Sequence, residues 1–277
     1  MPLIHKVREK LSTWRIAVNV EGDATTIMRA VTSDDRRRGP AEAGDAPAPD
    51  AASLARLRPA QRRRYEGIVR RAADLFLADG IAGVKMTDVA QASGVGVATV
   101  YRYFGTKTNV AIAACTLLWR EFRDAFATLG APPEALADAS GLDRMRDVLE
   151  RAVRLYLERP EFIALLDEFD ATMIAEHVDR ARLAGYAAQV DSFYDACERV
   201  FRAGVADGSI RSDVDFPLFY RAATHALAGI AEKLVRGEIL PSDDFSDAER
   251  EIACVVDMAT AYLAPSFAGV AASGRKR

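Results

Sequence analysis

After Leu54, apolar residues recur at intervals of three and four through most of the chain. That spacing gathers them on one face of an α-helix. Over Arg62–Asp79, the residues Tyr65, Ile68, Val69, Ala72, Leu75 and Phe76 form the first such face. Gly80 ends this helix and Gly83 continues the turn. A short helix is predicted over 86–92, then a tight turn at Ser93-Gly94-Val95-Gly96, then a helix over 97–103. The fourth helix starts near Thr106, whose hydroxyl suits an N-cap, and runs to about Leu129 before Pro132-Pro133 breaks the chain. Further helices are expected near 142–158, 161–176, 179–207, 216–236 and 246–264, punctuated by Pro160, Asp207-Gly208, Pro217 and Pro241. With no strand pattern and no internal repeat in this stretch, the fold class is all-α.

The first 55 residues are different. The stretch 39–52, GPAEAGDAPAPDAA, has no apolar periodicity and reads as a disordered linker. The segment LSTWRIAVNV before it has strand character, but a lone strand has nothing to bury against. Residues 1–55 are therefore expected to be a poorly ordered tail and linker, 56–107 one domain and 108–277 another.

The spacing within 90–107 supplies a mechanism. Ala90 is small, so the helix after the turn can cross close to the one before it. Gly94 sits where a positive φ is needed, which a residue without Cβ meets easily. Val89, Val95 and Val100 fall where the two helices face each other, and Phe104 anchors the far end. This leaves Val97, Ala98, Thr99, Arg102 and either Tyr101 or Tyr103 on the outward side, the row that a helix-turn-helix presents to the major groove of double-stranded DNA. Val97 and Ala98 suit thymine methyls, Thr99 a base edge or phosphate, and Arg102 a guanine. Tyr101, Tyr103 and Lys107 suit phosphates, which set register without reading sequence. A phosphate-binding loop at Gly94-Val95-Gly96 is excluded, because it lacks a preceding strand, a third glycine and the Gly-Lys-Ser/Thr ending.

Charge separates the same regions. The whole chain has a formal net charge of −3, but residues 56–107 carry 10 basic and 4 acidic side chains, net +6. Residues 108–277 carry 19 basic and 28 acidic side chains, net −9. A basic head beside a larger acidic body is the asymmetry of a DNA-binding module on a non-DNA-binding one. Arg56, Arg58, Arg62, Arg63 and Arg64 lead into the first helix and suit either a solvated basic face or an arm that follows phosphates.

Residues 62–112 resemble the DNA-binding head of the TetR/AcrR family of bacterial transcriptional regulators. The residues that carry the resemblance are Ile68, Ala72-Ala73, Leu75-Phe76, Gly80, Val89-Ala90, Gly94-Val95, Thr99-Val100-Tyr101, Tyr103-Phe104 and Lys107. The chain departs from the family pattern at Lys85, Gly96, Ala98 and Thr108, where Thr, Ser, Gly and Glu are common. Lys85 then becomes a candidate phosphate contact, and Thr87 a candidate both for DNA contact and for capping the short helix.

Two stripes stand out in the body. Phe162, Leu165, Leu166, Phe169 and Met173 line helix 161–176, while Tyr186, Val190, Phe193, Tyr194, Cys197, Val200 and Phe201 line helix 179–207. Either stripe can be plain core. The resemblance implies a pocket between these helices for a small hydrophobic effector, with Phe162, Leu166, Phe169, Met173 and Phe193 as its wall and His177 and Tyr194 as its polar groups. Glu168 and Asp170 would favour a cationic ligand if they face it. The small residues Ala222, Ala223, Ala226, Ala228 and Gly229, and the stripe Ile252, Val255, Val256, Ala259 and Tyr262, permit close helix packing. The resemblance implies that helices 216–236 and 246–264 pair with their copies in a homodimer that reads a palindromic operator.

No paired carboxylates, nucleophile–base arrangement or metal-ligand spacing is present, so no catalytic residue, metal or cofactor is assigned and the chain is not read as an enzyme. Cys115, Cys197 and Cys254 lie far apart among helical residues, which argues against a disulfide framework. No apolar run approaches the ~20 residues of a membrane span, and Arg15 interrupts the only apolar patch near the start, so a cytoplasmic location is expected. The resulting expectation is a sequence-specific transcriptional regulator, a repressor released from its operator by a small hydrophobic ligand. The alternatives are an activator or ligand-independent regulator on the same fold, and an enzyme that uses the C-terminal pocket.

Overall fold

The computed structural model describes residues 56–128, 136, 138–237 and 245–267. The expected tail and linker (1–55) and the breaks at Pro132-Pro133 and Pro241 lie outside the described residues. Among those described there are nine helices and no strand: α1 (Pro59–Gly83), α2 (Met86–Ala92), α3 (Val97–Phe104), α4 (Lys107–Thr128), α5 (Gly141–Glu158), α6 (Pro160–Ala175), α7 (Ala184–Ala206), α8 (Phe216–Arg236) and α9 (Ala248–Leu263). The contacts divide into two compact units, with Ala114 and Cys115 on either side of the division. The head thus takes the first residues of α4 and the body takes the rest.

The head is a core of small and aromatic residues. Ile68, Ala72, Ala73 and Phe76 of α1 are almost completely buried, as are Val89 and Ala90 of α2, Val100 and Phe104 of α3, and Val110 and Ala111 of α4. The Tyr65 ring stacks on Phe104 at 5.0 Å, and burial pushes its hydroxyl up to about 12. Ile68, Phe76 and Phe104 contribute roughly 1.5–3 kcal/mol each when fully buried. Gly80 has φ 72°, which bends the chain where the first helix was expected to stop. α1 continues past this kink to Gly83 and starts earlier than expected, at Pro59, a residue pre-set for a first helical turn. Arg62, Arg63 and Arg64 are therefore exposed side chains on α1 and do not belong to an arm ahead of it.

The body has its own core, with Met145 and Leu149 of α5, Phe201 of α7, Phe216 and Leu227 of α8, and Ile252 of α9 at its centre. α5 is capped twice. The Ser140 hydroxyl accepts the Asp143 N–H at 3.1 Å. From the α7–α8 connection, the Asp207 carboxylate accepts the Gly141 N–H at 2.7 Å and the Ser209 hydroxyl accepts the Leu142 N–H at 3.0 Å. These contacts satisfy N–H groups that a helix start otherwise leaves unpaired. They are possible because α5 crosses α7 at two glycines: a Cβ on Gly141 would sit 2.1 Å from the Gly204 Cα.

α7 begins at Ala184, later than the expected 179. Asp179 accepts the Ala181 N–H through its side chain at 2.8 Å, and the N–H groups of Arg182, Leu183 and Ala184 bond three residues back. A side chain that offers the backbone a local turn competes with the helix in this way.

Candidate nucleic-acid interface

The turn between α2 and α3 is a helix C-terminal motif built on Gly94. Its φ is 64°, its N–H donates to the Gln91 carbonyl at 3.1 Å, and the Val95 N–H donates to the Ala90 carbonyl at 3.0 Å. This pair of bonds closes α2 and turns the chain within three residues. α3 follows, with Val100 and Phe104 buried against the head core. The opposite face is open: Val97, Ala98, Tyr101 and Arg102 are exposed, and Thr99 is half-buried beside them. Lys85 and Thr87 at the start of α2 are exposed as well. The α2 cap comes from Asp88, whose carboxylate accepts the Lys85 N–H at 2.8 Å, and not from Thr87, which leaves the Thr87 side chain at the surface.

Two of the expected phosphate contacts are placed elsewhere. The Lys107 ammonium donates to the Ile81 carbonyl at 2.9 Å and to the Val84 carbonyl at 3.3 Å. It is half-buried and ties the start of α4 to the end of α1. Tyr103 is half-buried too, with its ring edge-on to Tyr65 at 6.1 Å and its hydroxyl donating to the Gln61 carbonyl at 3.4 Å. Thr106 caps α4 as expected, accepting the Asn109 N–H at 3.2 Å. Asn109, absent from the expectation, is buried and donates its Nδ2 to the Phe104 carbonyl at 2.7 Å, which fixes the end of α3.

In the body, Trp119 of α4 gathers an aromatic cluster that pattern reading missed. Its ring lies 5.4 Å from Phe122, 5.4 Å from Phe162 and 5.6 Å from Phe193. Its Nε1 donates to the Tyr186 hydroxyl at 2.9 Å, and Tyr186 meets Phe169 at 4.7 Å. Of the expected wall residues, Phe162, Phe169 and Phe193 thus come together, and Met173 is buried while Leu166 is half-buried on the same helix. The two expected polar groups do not join them. His177 is exposed with φ 53° and ends α6: the Val178 N–H, one residue on, donates to the Met173 carbonyl at 3.0 Å. Tyr194 faces the other way, 5.2 Å from Phe216 and 5.0 Å from Tyr220. Trp119 lies on the expected fourth helix, but its ring partners Phe162 and Phe193 are on α6 and α7, distant in sequence.

The last two helices also need a correction. Ile252 and Val256 are buried inside the body core, and Val255, Ala259 and Tyr262 pack against it. The stripe assigned to pairing is therefore internal. The outward face of α9 holds Ala253, Cys254, Met258 and Ala261, and that of α8 holds Leu218, Ala222, Ala226 and Gly229. Met258 is 59% and Leu218 53% exposed, unusual for side chains of this kind on long core helices.

Among the described residues, no three His, Cys, Asp or Glu come together as metal ligands, and no helix is long and apolar enough to cross a membrane. A basic three-helix head with an open second helix after a Gly-centred turn is a helix-turn-helix DNA-binding module, here joined to an all-α body. Residues 68–114 match the family model for bacterial regulatory proteins of the tetR family. No curated protein matches it. Solved structures share the fold over nearly their whole length. A protein assigned to the TetR family from Mesorhizobium loti MAFF303099 is 16% identical over 73% of this chain and 97% of its own, with a TM-score of 0.56. One from a Rhodococcus species is 19% identical over 71% and 98%, with a TM-score of 0.53. The fatty acid degradation regulator FadR from Bacillus halodurans is 14% identical over 74% and 96%, with a TM-score of 0.51.

Proposed function

We propose that the protein is a homodimeric repressor that reads a palindromic operator with α3 and leaves it when a small hydrophobic effector enters the body. The observation that carries the DNA part is the two-sidedness of α3. One face, Val100 and Phe104, is fully committed to the core, while Val97, Ala98, Tyr101 and Arg102 are exposed. Ala98 and Val97 let the helix approach base edges closely, Thr99 and Arg102 read them, and Lys85, Thr87 and Tyr101 hold phosphates. Tyr103 lies at the rim of this set, and Lys107 serves the head's own structure.

The exposed small and apolar faces of α8 and α9 support self-association as a four-helix interface. Two heads one turn of B-DNA apart, ~34 Å, would then match a two-fold operator. The half-buried aromatic rings of Trp119, Tyr186 and Phe193 support the effector site. Effector binding would couple to DNA by favouring a state in which the heads no longer match the operator.

The test is fluorescence anisotropy with duplexes from the DNA flanking its own gene, titrated against salt. Sequence-selective binding by a dimer, weakening steeply with salt, is expected. Equal binding to every duplex would refute the reading.

A further inference from the structure

Arg102 is the only basic residue of α3, and it is exposed. Consecutive helical residues point about 100° apart, so an extended Arg102 side chain would not meet its neighbour. Yet the Arg102 guanidinium lies over the Tyr103 ring, 5.7 Å from its centroid, within the range of a cation–π contact. Among the described residues, no acidic side chain pairs with Arg102, so this ring is what holds it.

The ring is itself fixed. Tyr103 is half-buried, edge-on to Tyr65 at 6.1 Å and 6.3 Å from Phe104. Its hydroxyl crosses from α3 to the first turn of α1, donating to the Gln61 carbonyl in a long bond of 3.4 Å. Tyr65 in turn stacks on the buried Phe104 at 5.0 Å. Arg102 therefore rests on a platform that is continuous with the head core.

An arginine held over a ring uses the face of its guanidinium. The N–H groups along its edge stay open to a planar acceptor, such as the N7 and O6 pair of guanine. A long side chain that is already placed loses less freedom on binding, and here the saving falls on one base pair. A phosphate contact by Tyr103 would instead favour every sequence alike. The Tyr103 hydroxyl, the group such a contact needs, is turned to Gln61.

Resting on the reading of α3 as the DNA-reading helix, we infer that Tyr103 is a positioning residue for operator specificity. Its ring holds the Arg102 guanidinium for a guanine in each half-site, and Tyr103 itself touches no base.

A pool of duplexes with randomised bases tests this, the bound duplexes being sequenced for the full native chain and for its variants. Arg102→Ala should flatten a guanine preference at one position in each half-site. Tyr103→Leu should weaken that same preference about threefold, the size of an exposed cation–π contact, and leave the other positions unchanged. Added to Arg102→Ala, it should change nothing further at that position. Tyr103→Phe keeps the ring and should keep the preference. These preferences are ratios between duplexes bound by one folded protein, so a loss of stability does not move them; Tyr103→Met takes the place of leucine if leucine unfolds the head. A loss shared equally by all sequences, an effect of Tyr103→Leu that persists beside Arg102→Ala, or equal losses with Phe and Leu would overturn the inference. So would Arg102→Ala without effect at any position. Each of these leaves α3 as the DNA-reading helix, whereas a native chain that selects no sequence would overturn that reading together with the inference.

Discussion

Replacing Lys107 by Met separates a structural lysine from a DNA-binding one. The ammonium makes two charge-assisted hydrogen bonds, at 2.9 and 3.3 Å, to the Ile81 and Val84 carbonyls. Bonds of this kind contribute roughly 1.5–3 kcal/mol each. One of the two is long and the group is only half-buried, so about 2 kcal/mol is a fair total for the head. Met keeps most of the aliphatic packing and removes the donor. Amide exchange at the end of α1 and the start of α4 should then speed up by about 30-fold, the equivalent of 2 kcal/mol. The dependence of DNA affinity on salt should keep its slope, because a phosphate contact would contribute about one to it. Unchanged exchange with a slope lowered by about one would refute this reasoning and return Lys107 to the phosphate set.

Three other outcomes follow from the same structure. Gly141→Ala drives a Cβ into the Gly204 backbone, which cannot yield, and should cost about 3 kcal/mol or more in urea unfolding; Gly67→Ala, with nothing within 4 Å, should gain about 0.8–1 kcal/mol by helix propensity. The Asp207 carboxyl is held below its usual range by the Ser209 hydroxyl, then by the N–H groups of Ser209 and Gly141. Its contribution is complete above the ordinary carboxylate range and is lost as pH falls below about 4, so Asp207→Asn should lower the melting temperature at pH 7 by more than it does at pH 3. Ala at Arg62, Arg63 and Arg64 should reduce the salt slope of DNA binding by roughly one for each phosphate contact removed; an unchanged slope would make them a plain solvated face.

Much of the fold was legible because it rests on local chemistry. Gly94 announced a positive φ, Thr106 a cap, and the three- and four-residue spacing of Ile68, Ala72 and Phe76 a buried face. What was not legible depended on partners distant in sequence. Lys107 read as a phosphate contact because charge beside a recognition helix suggests one, yet its carbonyls lie 23 and 26 residues earlier. Phe193 and Tyr194 are neighbours on one stripe, but α7 is packed on two sides and they turn to different clusters. In α9 both faces are apolar or small, so periodicity could not say which one the body uses. His177 entered the ligand set only through the resemblance, and its left-handed backbone at the helix end is not something a side-chain pattern shows.

The central claim, that the open face of α3 meets DNA, is tested most directly by Ala98→Glu. Ala98 is exposed within α3, so a glutamate there leaves the head's packing untouched while placing a negative charge against the phosphate-lined groove. The melting temperature should be unchanged and operator affinity should fall by about 100-fold, the equivalent of about 3 kcal/mol. Operator affinity equal to that of the native chain would contradict the account.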